Sequence, residues 1–191
     1  MRLPGVSPTA LAAAGLLLLA TGGLMLVGQV GLAAAGPTWV RGTQTSGTVQ
    51  IGGQPVRAVR YLDRARFTYS FVLRNPGPFG VTVAGFDAPP DALPAGSHPL
   101  VRPRALTNAA GERAFTLPGG GVERVRLTAL MTGCEHVAQR GGSLLQALQV
   151  RIRVLAIVPR TRTVELPEAL RIGSPRERGC PRSTPQGRSP G

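Results

Sequence analysis

The chain contains no lysine, and it has few acidic residues, few aromatic residues, two histidines and two cysteines. All 22 basic residues are therefore arginines, set against nine carboxylates, and the formal net charge of the 191 residues is +13. Aromatic residues make up 4% of the chain, too few for a base-stacking surface, so a nucleic-acid partner is not expected. The cationic excess favours anionic surroundings, with an attraction that weakens as salt rises.

Charge is also missing from the whole stretch between Leu3 and Val40. Crossing a bilayer needs roughly 20 apolar residues, so we predict a transmembrane helix over residues 10–36, after a short cytoplasmic N-terminus at residues 1–9. The alternative is a secretory signal peptide, because "AAAG" at Ala33–Gly36 would serve as a cleavage site. The first alternative places the protein in the cell membrane with a single span, and the second makes it secreted.

The two cysteines, Cys134 and Cys180, predict one disulfide bond. Disulfides persist outside the cytoplasm, which favours an N-terminus inside and a domain outside. Together with the apolar segment, this predicts a domain on the extracytoplasmic side of the membrane.

Beyond the apolar segment the hydrophobic period is two, which is typical of strands with one buried face. In Phe67–Arg74 the aromatic and leucine side chains fall on one face and are expected in the core. With the other alternating runs, this predicts an all-β, antiparallel sandwich of about seven or eight strands over residues 56–175. Residues 37–55 are interpreted as a linker or an irregular first strand, Ser143–Val150 as the site of a short helical turn, and residues 176–191 as a mostly disordered tail.

The stretch "VLRNPGPFGVTVAGF", Val72–Phe86, resembles bacterial immunoglobulin-like and fibronectin-like surface domains. The region around "QVRIRVLAIVPRTRTVELPEALRI" is similar to small actinobacterial membrane-anchored proteins of that architecture. The resemblance implies an immunoglobulin-like fold and a surface location, and it implies no catalytic residues. The resemblance covers about residues 56–181. The single tryptophan, Trp39, lies outside this region, and both cysteines lie in its later part, which departs from the immunoglobulin pattern.

The sequence contains residue types used in metal and catalytic sites, but not in the order or spacing that such sites need. "CEH" at Cys134–His136, with His98 and Met131, contains the ligand types of a copper site, but the ligand order does not fit, so no metal and no other cofactor is expected. Ser143 lacks the Gly-x-Ser-x-Gly turn of a nucleophile. Asp87 and Asp91 are interpreted as solvated loop carboxylates. We therefore expect no enzymatic activity.

The arginines provide the candidate contact residues. Two alternating runs each place two arginines on their outward face, and these residues are predicted to contact an anionic surface: Arg124, Arg126, Arg151 and Arg153. Solubility and protection of the sheets from aggregation are the alternative explanation for such charges. Further contributors to a positive sheet face are Arg57, Arg60, Arg64, Arg66 and Arg74.

These features predict a non-catalytic, membrane-anchored module for adhesion, envelope binding or assembly. Its partner would be an anionic envelope polymer or another membrane protein, with the corner at residues 75–80 and the Pro-rich loop at residues 87–104 as further contact segments. The alternative function is an accessory subunit of a membrane enzyme or transporter, contacted through the helix itself.

Overall fold

The computed structural model describes residues 31–86, 100–132, 142–154 and 157–174. These residues form ten strands and no helix, which confirms the all-β prediction for the described part. In chain order the strands are β1 (Ala33–Arg41), β2 (Thr45–Ile51), β3 (Gln54–Val59), β4 (Arg66–Arg74), β5 (Val81–Phe86), β6 (Val101–Thr107), β7 (Phe115–Leu117), β8 (Val122–Met131), β9 (Ser143–Val154) and β10 (Val158–Ile172).

The strands form two sheets that pack as a sandwich. The four-stranded sheet has the order β1-β4-β8-β6, and the six-stranded sheet has the order β2-β3-β10-β9-β5-β7. Every pairing is antiparallel except that of β3 with β10, which is parallel. The expectation of a purely antiparallel sandwich is wrong at this pair, because side-chain alternation has the same period in parallel and antiparallel strands.

The core lies between the two sheets and follows the predicted alternation. Phe67, Tyr69, Phe71 and Leu73 on β4 are buried, as are the alternate residues of β8 and β9. This confirms the predicted core face of Phe67–Arg74. Full burial of an apolar side chain of this size contributes about 1.5–3 kcal/mol relative to its exposed state, so the three strands account for much of the stabilisation.

The start of the sandwich lies earlier in the chain than predicted. Residues 37–55 do not form a linker, because they lie in β1, in β2, in the turns that follow these strands and in the first two positions of β3. Residues 33–36, assigned to the apolar segment, already belong to β1, which pairs with β4 at the edge of the sheet. Among the described residues, no helix has the length and apolarity needed to cross a membrane. The rest of the predicted span, residues 10–30, lies outside the described residues.

Three other local interpretations are corrected. The segment Ser143–Val150 forms the first part of β9 and contains no helical turn, since it pairs with β10. The sequence also predicts two short strands, Thr163–Leu166 and Ala169–Ile172, but both are parts of one strand, β10, whose register shifts between Glu165 and Leu170. Pro167 has no backbone N–H to donate, and the irregularity accommodates it. Residues 101–104, assigned to the Pro-rich loop, lie in β6.

Candidate functional site

The corner at residues 75–80 directs its polar groups into the protein. The side chain of Asn75 is fully buried, and its Nδ2 donates to the carbonyl oxygens of Phe79 at 2.7 Å and Pro118 at 3.0 Å. Its Oδ1 accepts a hydrogen bond from the backbone N–H of Gly77 at 3.1 Å. These contacts join the β4–β5 corner to the turn between β7 and β8. Asn75 is therefore a structural residue, and its side-chain polar groups are engaged inside the protein.

The structure places the four predicted contact arginines on two different sheets. Arg124 and Arg126 lie on β8 in the four-stranded sheet, whereas Arg151 and Arg153 lie on β9 in the six-stranded sheet. All four side chains are exposed, and the residues between them are buried in the core. The two pairs consequently point away from each other, on opposite sides of the sandwich, and do not form one surface.

The outer side of the four-stranded sheet gathers six arginines, and the sequence does not assign two of them, Arg41 and Arg102, to a sheet face. Ser70 of β4 is paired with Arg126 of β8 on one side and with Trp39 of β1 on the other. Leu130 of β8 is paired with Arg66 of β4 on one side and with Arg102 of β6 on the other. Because directly paired residues share one side of a sheet, the register places these side chains together. We call this surface the basic face, and its arginines are Arg41, Arg66, Arg74, Arg102, Arg124 and Arg126.

Acidic residues are directed away from the basic face. Glu123 is the only acidic residue in the four strands, and it is paired with the inward-facing Leu73 and accepts a hydrogen bond from the backbone N–H of Ala109. Among the described loop residues, Asp63 accepts a hydrogen bond from Tyr61, and Glu112 accepts one from Asn108. The basic face thus carries charge of one sign across four neighbouring strands.

An aromatic side chain lies within the basic face. Trp39 is 43% exposed, and the guanidinium carbon of Arg124 lies 4.9 Å from the centre of its ring. A guanidinium at this distance is attracted by the ring's negative face. The contact holds Arg124 over the sheet and leaves part of the indole accessible beside the arginines.

The other arginines assigned to the positive face have different surroundings. Arg57 points to the inner side of the six-stranded sheet, where its Nε lies 2.8 Å from Oε2 of Glu168 and its Nη2 lies 3.2 Å from Oε1. Arg60 directly follows β3, and Arg64 lies in the loop before β4 with a positive φ of 56°. Only Arg66 and Arg74 of the five additional arginines join the basic face.

Arg151 and Arg153 lie close to a third arginine, Arg160. Arg153 is paired with Thr82 on one side and Pro159 on the other. Arg151, Arg153 and Arg160 all border a shallow cavity of about 430 Å³. The six-stranded sheet thus has cations of its own, separate from the basic face.

The sequence does not predict Arg41 or Trp39 as part of a sheet face, and it predicts Arg102 only as part of the Pro-rich contact segment at residues 87–104. Arg41 follows a stretch interrupted by Pro37, and Arg102 precedes Pro103, so both segments were interpreted as irregular. Both strands lie at the edges of their sheet, where a proline is tolerated because one side of the strand needs no donor.

Several predicted site residues lie outside the described residues: Cys134, Cys180, His98, His136, Asp87 and Asp91. The disulfide bond therefore stays a prediction. Met131, the remaining residue of the copper alternative, is buried in β8, and its Sδ accepts a hydrogen bond from the backbone N–H of Leu62 at 3.1 Å. The described residues contain no group of three or more histidine, cysteine or acidic side chains that could hold a metal ion.

Comparison with known proteins finds only a distant structural likeness. No protein-family model matches the sequence, and no curated protein matches it. Among solved structures, the cupredoxin domain of amoB from Nitrosocaldus yellowstonii is 12% identical, with a TM-score of 0.27. The match covers 64% of this chain and 65% of that one, so the aligned part is less than two thirds of the cupredoxin chain.

Proposed function

We propose that this protein is a non-catalytic, membrane-anchored module with an immunoglobulin-like sandwich outside the cytoplasm, and that its basic face binds a phosphate-rich surface of the cell envelope. The observation that carries the proposal is the single-sign charge of this face. Six arginines project from the outer side of four neighbouring strands, and the one carboxylate of those strands faces the other way.

Electrostatic attraction of this kind is strong enough to matter. Each basic side chain close to an anionic lipid surface contributes about 1 kcal/mol, and the contribution falls with salt. Arginine also forms paired hydrogen bonds with phosphate oxygens. Several arginines on one flat sheet can act together on a polyanion, whereas the same number dispersed over the molecule cannot.

The order of segments in the chain supports an envelope location. β1 starts at Ala33, inside the last part of the uncharged stretch, and it is an edge strand of the basic face. If the residues before Ala33 span the membrane, Trp39 and Arg41 lie only a few residues from the lipid surface. The exposed indole suits such an interfacial position.

The test compares two charge reversals of equal size on opposite sheets. The full chain, in neutral-lipid nanodiscs, is mixed with vesicles containing phosphatidylglycerol or with purified cell wall, and retention is measured at low and high salt. We expect the variant R124E/R126E to lose about tenfold or more in apparent affinity at low salt. The control R151E/R153E has the same net charge and should lose much less.

Comparing retention on vesicles with retention on cell wall distinguishes a lipid ligand from a wall polymer. Binding to either one supports the proposal. Equal losses in the two variants would contradict it, because net charge and not the basic face would then control binding. Retention that does not depend on salt would also contradict it. The accessory-subunit alternative predicts that neither variant changes association with the partner, since that contact would be made by the apolar segment.

A further inference from the structure

A second cationic site lies on the other sheet, where β2, β3 and β10 meet. A groove of about 510 Å³ opens there. Its walls include two arginines, Arg60 and Arg171, and the hydroxyl residues Thr45, Ser46 and Ser174. No described residue that lines the groove is acidic. The groove is concave and bounded, unlike the basic face, and it belongs to the six-stranded sheet.

The backbone of Arg60 is held on both sides. Its N–H donates to the carbonyl oxygen of Gln44 at 2.9 Å, and its carbonyl oxygen accepts a hydrogen bond from Oγ1 of Thr43 at 2.7 Å. Its Nη1 also donates to Oε1 of Gln44. The start of the Arg60 side chain is therefore fixed by the segment before β2, and the guanidinium is oriented before any ligand binds.

One donor of this oriented guanidinium has no acceptor within the described part of the protein. The Nε atom of Arg60 is shielded from solvent, and no hydrogen-bond partner for it occurs among the described residues. A buried N–H without an acceptor is unfavourable, and native structures usually satisfy such groups. Since this atom is shielded, a ligand in the groove would be bound by the terminal nitrogens of the guanidinium, Nη1 and Nη2.

Arg171 supplies the second cation. It lies on β10 and is paired with Ala58 of β3 and Leu144 of β9, so it projects beside Ala58, two residues before Arg60. Its side chain is exposed, whereas Arg60 is half-buried. The pair thus offers one guanidinium that is oriented in advance and one that can adjust to a ligand.

We propose that this groove binds a phosphate monoester of about the size of a sugar phosphate, with the phosphate between Arg60 and Arg171. Guanidinium groups match the geometry of phosphate oxygens and bind them through charge-assisted hydrogen bonds. The hydroxyl groups of Thr45 and Ser46 lie at the same rim, and that of Ser46 donates to the carbonyl oxygen of Gly47 at 3.4 Å in the absence of a ligand. The groove volume exceeds the needs of inorganic phosphate alone, and it leaves space for the organic part of the ligand. This site is separate from the basic face and does not depend on the function proposed for it.

The test uses isothermal titration calorimetry. The full chain is titrated with glucose 1-phosphate and, in a separate experiment, with inorganic phosphate. Glucose and acetate, at matched ionic strength, serve as control ligands. We expect saturable binding of glucose 1-phosphate, weaker binding of inorganic phosphate and no saturable binding of either control. Equal responses to acetate and phosphate would overturn the proposal, because they would indicate general ionic association.

Three variants locate the site. R171Q removes an exposed cation and should weaken glucose 1-phosphate binding about tenfold or more, and R60Q should weaken it further. R153Q, on the same sheet but outside the groove, is the matched control and should bind as the parent does. A loss in R153Q equal to that in R171Q would contradict the proposal. Since Arg171 is exposed, R171Q tests the site even if R60Q does not fold.

Discussion

At the scale of single residues, the side-chain amide of Asn75 forms hydrogen bonds within the β4–β5 corner and to the β7–β8 turn, where regular backbone pairing is interrupted. Pro76 and Pro78 have no N–H groups, so the corner cannot close through a regular backbone ladder. Asn75 supplies both a donor and an acceptor in a space from which water is excluded. A buried polar side chain is stable there because each of its groups finds a partner.

We expect Asn75→Ala to destabilise the protein by about 3 kcal/mol, because several buried carbonyl groups lose their donor. The measurement is urea denaturation of the full chain. Thr82→Ala is the control: it removes the exposed hydrogen bond between the hydroxyls of Thr82 and Thr116, 3.1 Å apart, and should cost less than about 0.5 kcal/mol. A similar loss in both variants would contradict the structural role of Asn75.

Tyr69 is the second residue with a distinct environment. Burial raises the pKa of its phenol well above the ordinary value of 10.0, because the charged form would lose solvation between the sheets. Its hydroxyl donates to the carbonyl oxygen of Glu168 at 3.4 Å, a hydrogen bond that only the protonated phenol can make.

This raised pKa predicts a loss of stability at alkaline pH. Above pH 10 the unfolded chain releases the Tyr69 proton while the folded chain keeps it, so the free energy of unfolding falls by up to about 1.4 kcal/mol per pH unit. Below pH 10 both states keep the proton, and there is no effect. We expect Tyr69→Phe to remove this part of the pH dependence, measured by denaturation at pH 8 and pH 11. An unchanged slope in the variant would show that Tyr69 ionises without unfolding.

At the scale of the elements, the β4–β5 corner packs closely on the turn between β7 and β8. A Cβ atom added at Gly119 would collide with the carbonyl group of Pro78, which is backbone and cannot rotate away. The backbone N–H of Gly120 also donates to the carbonyl oxygen of Gly77 at 3.0 Å. The two sheets are thus joined at this end of the sandwich by backbone contact as well as by side chains.

We predict that Gly119→Ala destabilises the protein by about 2 kcal/mol or more, since the corner must shift to admit the methyl group. Gly47→Ala on β2 is a close control, because no other atom lies within 4 Å of its added Cβ. That variant should be neutral within about 0.5 kcal/mol. Thermal denaturation of both variants measures the difference, and equal melting temperatures would mean that the contact at Gly119 does not constrain the corner.

The pairing of β3 with β10 is stabilised by a side-chain contact as well as by its backbone hydrogen bonds. Arg57 on β3 forms two hydrogen bonds with Glu168 on β10, and the side chains are 22% and 17% exposed. An ion pair shielded to this extent is screened by salt less than a surface pair is. It also explains why Arg57 is not free to join an outer surface.

At the scale of the whole molecule, the sandwich separates two cationic sites by placing them on different sheets. The basic face is broad and flat, and it suits a polyanion. The groove beside Arg60 is concave and suits a small ligand. β1 links the basic face directly to the apolar N-terminal stretch, so an anchored molecule would present that face close to its own membrane.

The sequence by itself determined the strand interiors. In β4, β8 and β9 the apolar residues alternate with polar ones, and every predicted inward position that lies within the described residues is buried. The same alternation correctly predicted that Arg124, Arg126, Arg151 and Arg153 project outward. This information is local, since successive side chains of a strand point to opposite sides whatever the strand pairs with.

Only the tertiary structure decided which strands are neighbours. Alternation orients Arg126 and Arg153 relative to their own strands, but it does not say that β8 and β9 belong to different sheets. Arg41 and Arg102 join Arg126 only through pairing with strands far away in the chain, and Arg60 meets Arg171 only through the parallel pairing of β3 with β10. Both cationic sites are products of long-range pairing, which depends on the packing of the whole core and not on any one segment.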